Sequence, residues 1–123
     1  MKLSEAIARL DELKPNSFSK GQKLFWLSAL DETVKREIID LHEGGESCAF
    51  TPYDENSRGD TQLLVPAPYD EVYLRYLEAQ IDYANGEYER FNNSNAMYGA
   101  AYTAFARWYN RSHMPLGGSK KYF

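Results

Sequence analysis

The sequence has little of what metalloproteins, thiol enzymes and exported proteins are built on. Its 123 residues include one cysteine, Cys48, and two histidines, His42 and His113. A lone cysteine excludes an intrachain disulfide and gives no sign of oxidising export. Neither HExxH nor a paired CxxC is present, and His42 and Glu43 are adjacent, so they do not share a helix face; no metal site is expected. No apolar run approaches the ~20 residues that span a bilayer, so no membrane partner is expected. The start, Met1-Lys2-Leu3-Ser4-Glu5, turns amphipathic instead of continuously apolar, which reads as no secretory leader and points to the cytoplasm. Basic charge is also scarce. The formal net charge is −4, so the chain as a whole does not attract nucleic acid.

Aromatic residues are plentiful. Ten tyrosines, six phenylalanines and two tryptophans make up 15% of the chain. A tyrosine ring buries while its hydroxyl hydrates, which suits surfaces that are partly dry and raises the expectation of protein interfaces. Acidic charge is concentrated in the middle: −1 over residues 1–43, −3 over 44–68, −2 over 69–111 and +2 over 112–123.

The hydrophobic spacing is helical throughout. Leu3, Ala6, Ile7, Leu10 and Leu13 predict a helix over residues 3–13, stopped by Lys14-Pro15. Ser19 and Gln22 form a capping-box pattern that opens a helix over 20–43, with its stripe on Leu24, Leu27, Leu30, Val34, Ile38 and Leu41, widened by Phe25 and Trp26. Asp31 is placed to cap a second helix, so a kink or break near Leu30 is expected. Gly44-Gly45 ends the element, and residues 44–62 have no periodicity. Leu63-Leu64-Val65 reads as a short strand or an extended segment that pins this loop to the domain. A helix over 69–84 follows Pro68, and Asn85-Gly86 separates it from the longest helix, over 87–111, which the run Asn92-Asn93-Ser94-Asn95 is expected to kink. The expected fold is all-α: a single helical domain over residues 1–115, a small bundle of four to five helices with a C-terminal helical hairpin and one long irregular loop, and a flexible tail at 116–123.

Catalytic patterns are weak. Cys48 lies six residues from His42 with no third orienting group, so it reads as an inert loop thiol. Glu78 and Asp82 stand four apart on one helix, and two such carboxylates can raise one another's proton affinity, but a solvated acidic face is the stronger reading. Neither Gly-Gly pair has phosphate-loop spacing. No catalytic residue and no cofactor is assigned. The interface candidates are Tyr88 and Tyr98, the small-residue row Ala96, Ala100 and Ala104, which lets a helix approach closely, and the basic-aromatic tail residues Lys120, Lys121, Tyr122 and Phe123.

Two stretches carry a resemblance. Leu63-Leu64-Val65-Pro66-Ala67-Pro68-Tyr69 leads into one helix, and Ala101-Tyr102-Thr103-Ala104-Phe105-Ala106-Arg107-Trp108-Tyr109-Asn110-Arg111 closes the next. Together with the order short helix, Pro/Asn turn, longer helix, this resembles the head–tail connector (adaptor, or head-completion) proteins of long-tailed bacteriophages and prophages. The resemblance implies a non-enzymatic subunit that forms a homo-oligomeric ring on the portal and joins head to tail. Its partners would be further copies of itself, the portal and tail-completion proteins. DNA would pass only as non-specific cargo. Its places would be the bacterial host cytoplasm during assembly and then the virion head–tail junction. The residues leave two other readings open, another minor tail-completion protein and a cytosolic helical adaptor that binds a host protein.

Overall fold

The chain, described here over residues 1–117 of a computed structural model, is all-α. Four helices follow in order: α1 (Leu3–Leu13), α2 (Lys20–Glu37), α3 (Glu71–Ala84) and α4 (Tyr88–Ser112). Two single 3-10 turns, Ile39–Leu41 and Gly45–Ser47, lie between α2 and α3. There is no strand among the described residues, only isolated bridges from Lys2 to Gln62 and from His42 to Pro115.

α3 is the centre of the bundle, packing against α1, α2 and α4. Val72, Tyr73, Leu74, Leu77, Ala79 and Ile81 are all buried along it, as expected of a helix enclosed on more than one side. α1 contributes Leu3, Ala6 and Leu10 to the same core, and α2 contributes Leu24, Leu27, Leu30 and Val34. Ser19 caps α2 as its sequence predicts, its hydroxyl accepting the Gln22 N–H at 3.1 Å. Lys23, also buried, donates to Asp11 at 2.6 Å and joins α2 to α1.

The 44–62 loop is irregular, as expected, but closely tied. Leu3 and Ser4 in the first turn of α1 have no intrahelical acceptors, and their N–H groups donate to the carbonyls of Thr61 (2.8 Å) and Gly59 (3.0 Å). Leu63 N–H donates to the Met1 carbonyl at 3.0 Å, so 63–65 is the extended pinning segment. At the loop's start, Gly44 takes φ +86°, and a side chain on Gly45 would collide with the Ile39 carbonyl oxygen at 2.3 Å.

Asp31 does not cap a helix. α2 runs unbroken through Leu30 and Asp31 and ends at Glu37, short of the expected residue 43. The carboxylate of Asp31 is fully buried and accepts three hydrogen bonds. They come from the Tyr53 hydroxyl (2.5 Å), the Tyr73 hydroxyl (2.6 Å) and the Leu64 N–H (3.1 Å). The Tyr73 oxygen in turn accepts the Val65 N–H at 2.7 Å. One acid thus holds α2, both ends of the second half of the loop, and α3. Phe25 and Leu41, expected on the apolar stripe, instead face solvent. The Asn92–Asn95 run does not interrupt α4. Ser94 turns inward, its hydroxyl donating to Asp82 at 2.8 Å, with the Arg90 carbonyl 3.0 Å from the same oxygen.

Two outcomes follow. Phe105 is buried among Tyr69, Trp108 and Tyr109, so Phe105→Ala should destabilise the chain by about 3–5 kcal/mol in urea unfolding; a loss below about 1 kcal/mol would place the ring outside the core. Desolvation lifts the Asp31 carboxyl above its ordinary value of 3.8 despite its three donors. The folded state then holds this proton more tightly than the unfolded chain. Stability measured relative to Asp31→Asn should therefore fall as pH rises from about 4 through the lifted value, then level off. A rise over that window would contradict the assignment.

Candidate interaction surface

The residue patterns that suggested catalysis are not assembled as reactive sites. His42 is buried and has both ring nitrogens engaged. Nδ1 donates to the Ile38 carbonyl oxygen at 2.6 Å, and Nε2 lies 2.8 Å from the Asn110 side-chain amide. Its ring meets Tyr109 edge-on, and His113 stacks on the other side chain of that pair at 3.7 Å. Around it, Glu43 N–H donates to the Met114 carbonyl (2.7 Å) and Leu116 N–H to the Leu41 carbonyl (2.9 Å). The cluster is a clasp that fastens the chain beyond α4 to the end of α2. Cys48 is half-buried and free. Among the described residues no group of three His, Cys, Asp or Glu side chains is placed to hold a metal ion.

The acidic pair at 78 and 82 requires a correction. Asp82 is buried, not part of a solvated face. Lys14 brings its ammonium to 2.7 Å from Oδ1, at an angle that makes no hydrogen bond, while Ser94 donates to Oδ2. Glu78 pairs with Arg75 instead, at 2.9 Å. The two carboxylates serve different contacts and do not form an acid–base dyad.

The interface candidates on α4 fall on two sides of the helix. Ala96, Ala100 and Ala104 are all exposed and form a small-residue row that no described residue covers, with Met97, half exposed, beside it. Tyr98 faces inward between the helices, its ring 5.1 Å from Tyr76 and 5.9 Å from Tyr102. Burial, with Tyr76 and Glu37 nearby, pushes its hydroxyl up to about 12. Tyr98 therefore belongs to the seam of the hairpin. Tyr88 is largely exposed and leans on Tyr83, itself exposed, at the turn where Gly86 takes φ +71°. Lys120, Lys121, Tyr122 and Phe123 lie outside the described residues.

Over its 25 residues, all of them described, α4 buries a single residue, Phe105. Its one extended helix partner is α3. Tyr102 adds a hydrogen bond from its hydroxyl to Glu37 at 3.0 Å.

A second surface was not apparent from sequence. The outer side of α2 and residues 52–55 enclose an open groove of about 550 Å3. Phe25, 66% exposed, lines it with Ala29 and Pro52, and its charged lining residues are Glu32, Asp54 and Glu55, all acidic. The loop is fixed there by the Tyr53 N–H, which donates to the Ser28 hydroxyl at 3.1 Å, and by the Asp54–Ser57 turn. The only sequence signal was Phe25 beside the buried stripe, and the chain reversal that brings residue 54 to it could not be read locally. No helix among the described residues is long and apolar enough to cross a membrane.

Comparison with known proteins found no matching family model, no matching curated protein and no matching solved structure.

The two acids should respond differently to substitution. Asp82→Ala removes the ion-pair partner of Lys14 and an acceptor of Ser94 and should destabilise the fold by about 2–3 kcal/mol. Glu78→Gln should change stability by less than about 0.5 kcal/mol in the same denaturant titration. Equal small effects would restore the solvated-face reading of Asp82.

Proposed function

We propose that this chain is a non-enzymatic structural subunit that works by docking to other subunits, as a head–tail connector of a long-tailed bacteriophage or prophage. The observation that carries the docking part is the exposure of α4. A helix in water gains most of its stability from tertiary burial of an apolar face. This one is 25 residues long, fully buries only Phe105, packs Tyr98, Ala101, Tyr102, Ala106, Trp108 and Tyr109 half-buried against the core, and still carries Met97 and a row of alanines on its outer side. A neighbouring helix would find no bulky side chain along Ala96, Ala100 and Ala104 and could approach closely. The aromatic rings at the α3–α4 turn, Tyr83 and Tyr88, offer anchors of the kind that dominate protein interfaces.

The connector part rests on the resemblance of residues 63–69 and 101–111. In that setting each copy buries its α4 face against a neighbour in a ring on the portal. DNA passes as cargo, and the net acidic chain disfavours adhesion of phosphate to the channel wall. Neighbouring genes for a portal, a major capsid protein and a tail-tube protein would fit the same reading.

The Ala100→Trp variant tests it. The position is exposed, so its unfolding free energy should stay within about 0.5 kcal/mol of the native value. The native chain should co-elute with portal rings, and the variant should not. Unimpaired co-elution of the variant would remove α4 from the interface. A native chain that ignores portal rings and captures a host regulator would overturn the connector reading.

A further inference from the structure

The outer face of α4 has a regularity beyond its alanines. At about 100° per residue, Glu89, Asn93, Ala96, Ala104, Arg107 and Arg111 all project within about 40° of Ala100. All seven residues are exposed. They form one stripe about 33 Å long. The stripe is symmetric in position about Ala100: Ala96 and Ala104 stand four residues to either side, Asn93 and Arg107 seven, and Glu89 and Arg111 eleven. Its two ends carry opposite charge, with the acid toward the N-terminal end of the helix and the two arginines toward the C-terminal end. Arg90, off the stripe, is taken up by Glu87 at 3.0 Å. Glu89, Arg107 and Arg111 have no ion-pair partner among the described residues.

We propose that the free chain pairs with a second copy of itself through this stripe, α4 against α4, antiparallel and centred on Ala100. A two-fold axis beside Ala100 sets Ala96 level with Ala104 of the second copy, Asn93 with Arg107 and Glu89 with Arg111. The alanines let the two backbones approach closely. At each end a carboxylate meets one guanidinium, and the amide oxygen of Asn93 accepts from the other. Charge selects both the occupant and its direction. A parallel pair would set Glu89 against Glu89 and each arginine against its own equal, and would align the two helix dipoles. The antiparallel pair opposes the dipoles and makes the stripe its own complement. The exposed Tyr88 of one copy and the exposed Met114 of the other come to the same end of the pair and add apolar surface there. A helix pair of this length lies at the small end of stable interfaces, so its dissociation constant should be roughly micromolar. A two-fold contact closes at two copies and cannot run round a ring, so the pair must part before α4 docks on a neighbour there. The inference concerns the free chain and goes beyond the connector reading without resting on it.

The test is sedimentation equilibrium of the full chain and its charge-reversed variants, with circular dichroism to verify folding; both substituted positions are exposed. The native chain should reach a dimer and go no further, with an affinity that falls as salt rises. Glu89→Arg sets arginine against Arg111 at both ends of the pair, and Arg111→Glu sets glutamate against Glu89. Each single change should raise the dissociation constant at least about ten-fold, or about 1.4 kcal/mol. Mixing the two single variants restores opposite charges at both ends and should restore pairing, as should both changes in one chain. A native chain monomeric at every concentration overturns the proposal. So do single variants that pair as tightly as the native chain, the result expected of a parallel pair or of a contact elsewhere, and so does a doubly changed chain that fails to recover. A native chain that pairs in this way yet ignores portal rings would remove the connector reading alone. A monomeric native chain that co-elutes with portal rings would remove the pair alone.

Discussion

The fold depends on one buried carboxylate. Asp31 sits in the middle of α2, fully desolvated, and an acid in that position is tolerated only when its oxygens are taken up by donors. The donors come from three separate stretches of chain: Tyr53 and Leu64 in the loop and Tyr73 on α3. Satisfying the acid therefore fixes where the loop crosses α2 and how α3 lies beside it. The Tyr73 hydroxyl extends the network by accepting the Val65 N–H, which would otherwise be a buried donor without a partner. Both tyrosine hydroxyls are held protonated well above their ordinary range, mainly by burial and then by the Asp31 charge.

That constraint has a consequence for the outer surfaces. With α3 locked against α2 and α1, the core closes around the middle helix, and α4 is added on one side only. The aromatic seam of Tyr76, Tyr98 and Tyr102, the Phe105 anchor and the His42 clasp hold α4 in place without enclosing it. The same locking sets Tyr53, and with it residues 52–55, above the exposed side of α2, which creates the acidic groove.

The helices and most of the buried stripe were legible because each rests on local spacing. Leu24, Leu27, Leu30 and Val34 could be placed from periodicity, as could the Ser19 cap. The polar interior was harder. Asp31 lies four residues after Leu27 and three before Val34, on the buried stripe, yet an acid there reads as a boundary unless its donors are known. Two of those donors are 22 and 42 residues away. Asp82 was misread for the same reason: its partner Lys14 comes from the end of α1. The early end of α2 follows from the 3-10 turn and clasp at Ile39–His42, which long-range contacts to Asn110 and Met114 define. Of the surfaces, the α4 row was visible as a sequence pattern, whereas the groove arises only when two distant segments meet.

If the proposed function holds, the exposed face of α4 is covered by another subunit once the chain assembles. An electron cryomicroscopy structure of the chain on portal rings tests this directly. Ala96, Ala100 and Ala104 should then be buried against a neighbouring subunit, with the fold around Asp31 unchanged. A bound chain whose α4 face remained open to solvent would contradict it.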